Sequence, residues 1–175
     1  MAKVQGGTLE WNGGDLIAFA TKENVKAMNQ AAILVQATAK KLIGGVGSGK
    51  LYRRRKQKGE RGTFKASDFH RASSPGRPPA RDSGILANSV SFLVRLGIKA
   101  DTVDIIDMDD LTVVGSVGPD IDKIKAESPR TDPDYGFWLE VGTKDIAKRP
   151  WLKPALIKSR RRILRLFKRA NRNIK

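Results

Sequence analysis

The chain has no cysteine and a single histidine in 175 residues. The first absence removes disulfides, thiolate metal sites and cysteine nucleophiles together; the second removes any multi-histidine metal centre. Aromatic residues are few, at 6%, and only Tyr52 and Phe64 stand among the arginines of the central segment, a poor stacking platform for single-stranded nucleic acid. No run approaches the ~20 apolar residues of a membrane span, and the first seven residues lack the apolar core of a secretory signal. The expectation is a soluble protein made in the cytoplasm, with no membrane partner. What remains, 39% apolar and 30% charged, supports one modest core, and the length suits a single domain over 1–175.

Acidic residues are scarce in two of the four blocks into which the net charge of +16 divides. Residues 50–81 hold 11 basic against 2 acidic groups, and 148–175 hold 12 basic and no acidic ones. Residues 82–147 reverse the balance, with 6 basic and 13 acidic, and 1–49 are nearly neutral. A uniformly basic nucleic-acid coat would not carry an acidic middle, since that surface repels phosphate. The division suits a chain that meets copies of itself or other proteins.

Thr21 reads as an N-cap with Glu23 in the first turn, opening a helix that runs to Ile43 and stops at Gly44-Gly45. Val25, Met28, Ala32, Val35, Ala39 and Leu42 recur at spacings of three and four and form its apolar stripe. Upstream, Thr8 to Trp11 reads as a short strand. From Gly44 to Arg81, glycine, serine, proline and basic residues crowd out any apolar period, so this span is expected to be a long basic loop, exposed and ordered by a partner. A helical turn over Ser83 to Ser89 leads into a strand with alternating Val90, Phe92, Val94 and Leu96. Two further β-rich runs, Thr102 to Ile106 and Leu111 to Val117, flank the acidic turn at Asp107 to Asp110. A basic C-terminal helix or arm (148–175) starts near Pro150 and buries Leu152, Leu156, Ile163 and Phe167, leaving Arg160, Arg161 and Arg162 exposed. The expected class is α+β: a small antiparallel sheet packed against a long N-terminal helix and a C-terminal helix, with a long basic loop.

Three motifs with possible chemistry fall short. Gly44 to Lys50 fits the glycines and lysine of a phosphate-binding loop, but Leu51 stands where the magnesium-binding hydroxyl belongs, and the segment follows a helix rather than a strand. Asp68, His70, Ser73 and Ser74 have the residue types of a hydrolytic set, yet a few residues of loop do not supply a pocket and oxyanion donors. Asp107, Asp109 and Asp110 imitate a calcium loop without its glycine and distant glutamate. No catalytic residue, metal or cofactor is assigned, and the chain is read as a non-enzyme.

The order of the unusual segments carries a resemblance. Ser48 to Arg54, His70 to Ala80 and Asp82 to Ser89, followed by Tyr135-Gly136-Phe137-Trp138-Leu139-Glu140-Val141-Gly142-Thr143 and Arg149-Pro150-Trp151-Leu152-Lys153-Pro154-Ala155, resemble the tail-component (tail-completion or neck) family of long-tailed phages. The likeness covers about residues 21 to 170. It departs at Arg77, Ser83 and Trp151, where relatives often carry an acid, Thr and Phe. The resemblance implies a structural virion protein, made in the bacterial cytoplasm, that completes the tail or joins it to the head-closure ring. It further implies a homohexameric ring around the channel for double-stranded DNA, with head-closure (stopper) and tail-terminator or tail-tube proteins as neighbours. Basic clusters and signature residues together give the candidate assembly contacts: Tyr52, Arg53, Arg54, Arg55, His70, Arg71, Arg77, Tyr135, Trp138, Glu140, Arg149, Trp151, Arg160, Arg161 and Arg162. The alternative from charge alone is a nucleic-acid-binding protein that grips phosphates with the 50–81 loop and the C-terminal helix.

Overall fold

The computed structural model describes residues 13–53, 69–96, 113–129 and 131–172. Its first element, α1, spans Gly13–Ile43 and so begins more than two turns before the expected cap at Thr21. A threonine caps only where the backbone leaves the helix. Nothing between Asp15 and Ala20 breaks it, so Thr21 becomes an interior residue. The C-terminal stop is where the sequence puts it: Lys40 and Lys41 occupy the last turn, favourable at the negative end of the helix dipole, and the Gly44 amide donates to the Lys40 carbonyl at 3.2 Å. Ala32, Val35 and Ala39 lie at the centre of the buried face as the stripe predicts, with Ala27 and Ala31 added on one flank and Ile43 one turn beyond Ala39. The buried arc is wide because α1 is covered twice, by α5 (Leu152–Arg172) and by the strands β3 (Val90–Leu96) and β4 (Val113–Pro119).

Helix α5 runs along α1 with Ala155, Ser159 and Ala170 buried. Leu152, Ile163 and Phe167 are half-buried, but Leu156, expected in the core, is 55% exposed. The seam follows small residues on both helices, which let the two backbones approach closely; a reading weighted by hydrophobicity picks the leucine one position away. Across this seam the Thr38 and Ser159 hydroxyls lie 3.2 Å apart, satisfying a serine that is almost wholly buried. Arg160, Arg161 and Arg162 are exposed, as the pattern requires.

The short helix α2 (Ile85–Ser89) feeds directly into β3, which pairs antiparallel with β4 from Val90 opposite Pro119 to Leu96 opposite Val113. Gln36 of α1 donates its side-chain amide to the Val90 carbonyl at 2.8 Å, tying the start of β3 to the helix beneath it. The expected strands at Thr8 to Trp11 and Thr102 to Ile106, and the acidic turn between the latter and β4, lie outside the described residues. After β4, Asp120 caps α3 (Ile121–Glu127) by accepting from the Lys123 amide, and α4 (Tyr135–Val141) precedes α5. The core lies where the C-terminal half of α1, the first residue of β3 and the start of α5 converge: Val35, Ala39, Ile43, Val90, Trp151 and Ala155.

The described parts of the 44–81 span are not structureless. They hold β1 (Leu51–Arg53) and β2 (Phe69–Arg71), antiparallel with Tyr52 opposite His70. Backbone groups make this ladder with no apolar alternation in its side chains, so periodicity gave no signal of it.

Candidate functional site

The sequence signatures meet at the junction between α4 and α5. Helix α4 ends at Gly142, whose φ of 79° is the left-handed region a glycine enters freely and whose amide donates to the Trp138 carbonyl. Two residues earlier, Glu140 reaches across to the start of α5. Its Oε2 accepts from the Trp151 and Leu152 amides at 2.6 and 2.9 Å, and its Oε1 accepts from the Lys153 amide at 2.9 Å. Pro154 has no N–H to satisfy, and the Ala155 amide begins the helical ladder by donating to the Trp151 carbonyl. Every donor of the first turn is thus accounted for by one carboxylate and one proline, and the negative charge sits at the positive end of the helix dipole. Trp151 itself is 0% exposed, and its indole Nε1 donates to the Gly136 carbonyl at 3.2 Å. The fold therefore uses Trp151 as an inner support and Glu140 as a cap made by another helix, which removes Trp151 from the candidate contact surface.

Arg149 ties this junction to the glycine-rich segment. Its amide donates to the Leu139 carbonyl, its Nε to the Ser73 carbonyl at 3.1 Å and its Nη1 to the Ala147 carbonyl. Beside it, the Gly76 amide donates to the Lys148 carbonyl, and Ser74-Pro75-Gly76-Arg77 closes a turn in which Gly76 has φ 78° and the Arg77 amide donates back to Ser74. The Ser48 and Ser74 hydroxyls lie 3.0 Å apart, and the Arg71 guanidinium donates to the Gly49 carbonyl. Two glycines of the 44–50 segment, Gly47 and Gly49, have a use here that involves no phosphate. A Cβ on Gly47 would stand 1.7 Å from the Arg71 carbonyl oxygen, and one on Gly49 2.8 Å from that of Ser73. They are glycines because two backbones pass in near contact.

Tyr52, His70, Tyr135 and Arg149, four of the sequence candidates, line one cleft of about 750 Å³ floored by Ile43, Leu86 and Leu139. His70 Nδ1 lies 3.6 Å from the Asp82 carboxylate, an ion pair whenever the imidazole is protonated. Burial pushes the Tyr135 phenol above its usual range; the nearby Arg149 guanidinium opposes that shift and Asp82 adds to it. The phenol is therefore neutral at pH 7 and serves as a hydrogen-bonding group. The Ser73 hydroxyl is buried with no hydrogen-bond partner among the described residues, and no serine there is bonded to His70; Asp68, the carboxylate of the imagined hydrolytic set, lies outside the described residues. No group of three or more potential metal ligands comes together among the described residues. No helix among them is long and apolar enough to cross a membrane.

The remaining candidates are dispersed. Arg53 is exposed at the end of β1, Arg77 at the turn, Arg160 and Arg161 on the outer side of α5, and Arg162 beside the groove it lines with Ile33 and Ala37 of α1; Trp138 is half-buried with its ring edge-on to Phe137 at 5.7 Å. Arg54 and Arg55 lie outside the described residues. Sequence reasoning missed Asp82 as the partner of His70, and Gln36 and Ser159 as buried polar ties. Only Asp82 left a signal, being the first acidic residue after a long basic run. The chain matches no protein-family model, and no curated protein and no solved structure is detectably similar to it.

Proposed function

We propose that the chain is a structural virion protein of a long-tailed phage, acting in the neck or tail as a ring that completes the tail or connects it to the head-closure ring. The observation that carries the reading is the convergence of the motifs behind the family resemblance. Gly47 to Tyr52, Ser73 to Gly76, Gly136 to Gly142 and Arg149 to Ala155 bond to one another in a single junction, the arrangement expected if the motifs preserve a shape rather than a reaction. That junction braces two basic surfaces, the β1–β2 arm and the outer side of α5, and both suit docking on neighbouring proteins. A nucleic-acid-binding function draws on the same arginines. It requires the purified chain to bind any duplex with an affinity falling ~10³-fold or more between 50 and 200 mM salt, if six or more phosphates are engaged.

The test is complementation of a phage lacking this gene, with heads and tails counted separately by electron microscopy. Reversing Arg53, Arg54 and Arg55 to Glu together should leave a folded protein and yield filled heads beside unattached or defective tails, since like charges across an interface cost several kcal/mol. Normal infectious yield after complete deletion of the gene overturns the neck assignment, and normal yield from the triple reversal removes the arm from the mechanism.

A further inference from the structure

A groove of about 610 Å³ runs along the outer side of the seam between α1 and α5. Small residues in the seam bring the two backbones together, so the larger side chains beside it stand as walls. The two walls differ. Along α1 the wall is neutral and apolar, with Ile33 50% exposed, Ala37 exposed and Leu34 half-buried. Along α5 it is basic, with Arg162, Arg165 and Arg169 above a half-buried Leu166. Exposed Lys158 and Arg172 extend that row at the same alternation of four and three residues, which keeps all five cations on one face over about 20 Å. No acid answers them. Helix α5 contains no acidic residue, and Glu23, on the corresponding face of α1, is held by Lys26 at 2.6 Å. Among the described residues the ion pairs that form, Lys26–Glu23, His70–Asp82 and Lys123–Asp120, leave the three groove arginines out, and exposed Lys41 adds a cation one turn beyond Ala37.

A row of one sign beside an apolar wall fits a ligand that is anionic along one edge and apolar along the next. Duplex DNA supplies only the first half. Its phosphates suit the row, but laying them over Ile33 and Ala37 takes charge out of water against apolar surface, and the α1 wall beside Ile33 gives a second strand no cation. An amphipathic helix supplies both halves: its apolar stripe lies in the channel as a third helix packed on two, and carboxylates three and four residues apart on its edge face the row. We infer that the α1–α5 groove takes an acidic amphipathic helix of a neighbouring protein, Ile33, Leu34 and Leu166 covering its apolar stripe and Arg162, Arg165 and Arg169 pairing with its carboxylates. That the neighbour is a virion protein rests on the assembly reading above; its chemistry rests on the groove alone.

The experiment is fluorescence anisotropy of the full chain with a labelled synthetic helix of about 15 residues, bearing a leucine stripe and glutamates three and four apart along one edge. The wild-type chain should bind it with a Kd below ~100 µM at ~150 mM salt. A control peptide of the same composition, with its glutamates opposite the leucines, should bind at least ~10-fold more weakly. Arg162→Glu with Arg165→Glu should weaken binding at least ~100-fold, whereas Arg160→Glu with Lys168→Glu, the same charge change on another side of α5, should weaken it less than ~5-fold. Ile33→Ser should weaken it ~10-fold with no change of charge. All five side chains are exposed, so each variant should keep the wild-type melting temperature within ~3 °C. Absent binding, equal losses from the two charge reversals, or equal affinity for the control peptide overturns the inference, since each reduces the groove to general electrostatics or less. Tighter binding of duplex DNA than of the peptide at the same salt, lost with Arg162→Glu and Arg165→Glu, also overturns it, as does self-association of the wild-type chain that excludes the peptide. Peptide binding as expected, together with normal infectious yield after deletion of the gene, counts against the neck reading and leaves the groove assigned.

Discussion

The α4–α5 junction and the β1–β2 arm are both rich in basic residues, but different forces hold them. At the junction a fully buried Trp151 and a carboxylate shared among three amides fix two helices to each other and to the core. In the arm all three residues of β1 are exposed, and order comes from backbone pairing and from glycines that admit a second backbone. Burial makes the junction part of the cooperative unit, whereas the exposed β1–β2 ladder is expected to open without unfolding it. Assembly surfaces fit this division: the rigid part sets where the charges stand, and the exposed part is free to adapt.

The largest test of the contrast is Trp151→Ala. Truncating a wholly buried indole should cost ~3–5 kcal/mol, read as a lower urea midpoint for the whole domain. A loss below ~1 kcal/mol would place the junction outside the core. Glu140→Ala is next, since it frees three amides of the first turn of α5; ~2 kcal/mol is expected, with Glu140→Gln recovering part of it through the one oxygen it keeps. Equal melting temperatures for Glu140→Ala and the wild type would mean that water caps α5 as well as the carboxylate does. The smallest global effect is expected from Gly47→Ala. Its Cβ cannot coexist with the Arg71 carbonyl, so the strands should part, and hydrogen exchange at the Gly49 and Ala72 amides should quicken while the urea midpoint moves by less than ~1 kcal/mol. A global loss as large as that of Trp151→Ala would erase the distinction between arm and junction.

Elements with strong local signals were legible before the fold was known. The central stripe of α1, its stop at Gly44-Gly45 and the run from α2 into β3 each follow from side-chain periodicity or from the φ a residue accepts. The start of α1 was misplaced because cap chemistry at Thr21 is a local option that an uninterrupted helix overrides. Leu156 was placed in the core because hydrophobicity outranks size in a one-dimensional reading, whereas helix packing here selects alanine and serine. Of the candidate site, Tyr52, His70, Tyr135 and Arg149 were named from sequence, but their convergence on one cleft with Asp82 was not visible there.

By itself the sequence determined the α+β class, the single modest core, the absence of cysteine chemistry and the partition of charge into basic and acidic blocks, because composition and periodicity act over one or two turns of chain. Only the tertiary structure decided that Glu140 caps α5 from another helix, that Arg149 reaches Ser73 across 76 positions, and that Gly47 and Gly49 lie where a second backbone passes too close for a Cβ. These depend on which distant segments share space. A carboxylate, a guanidinium and a missing Cβ look alike in sequence whatever they face.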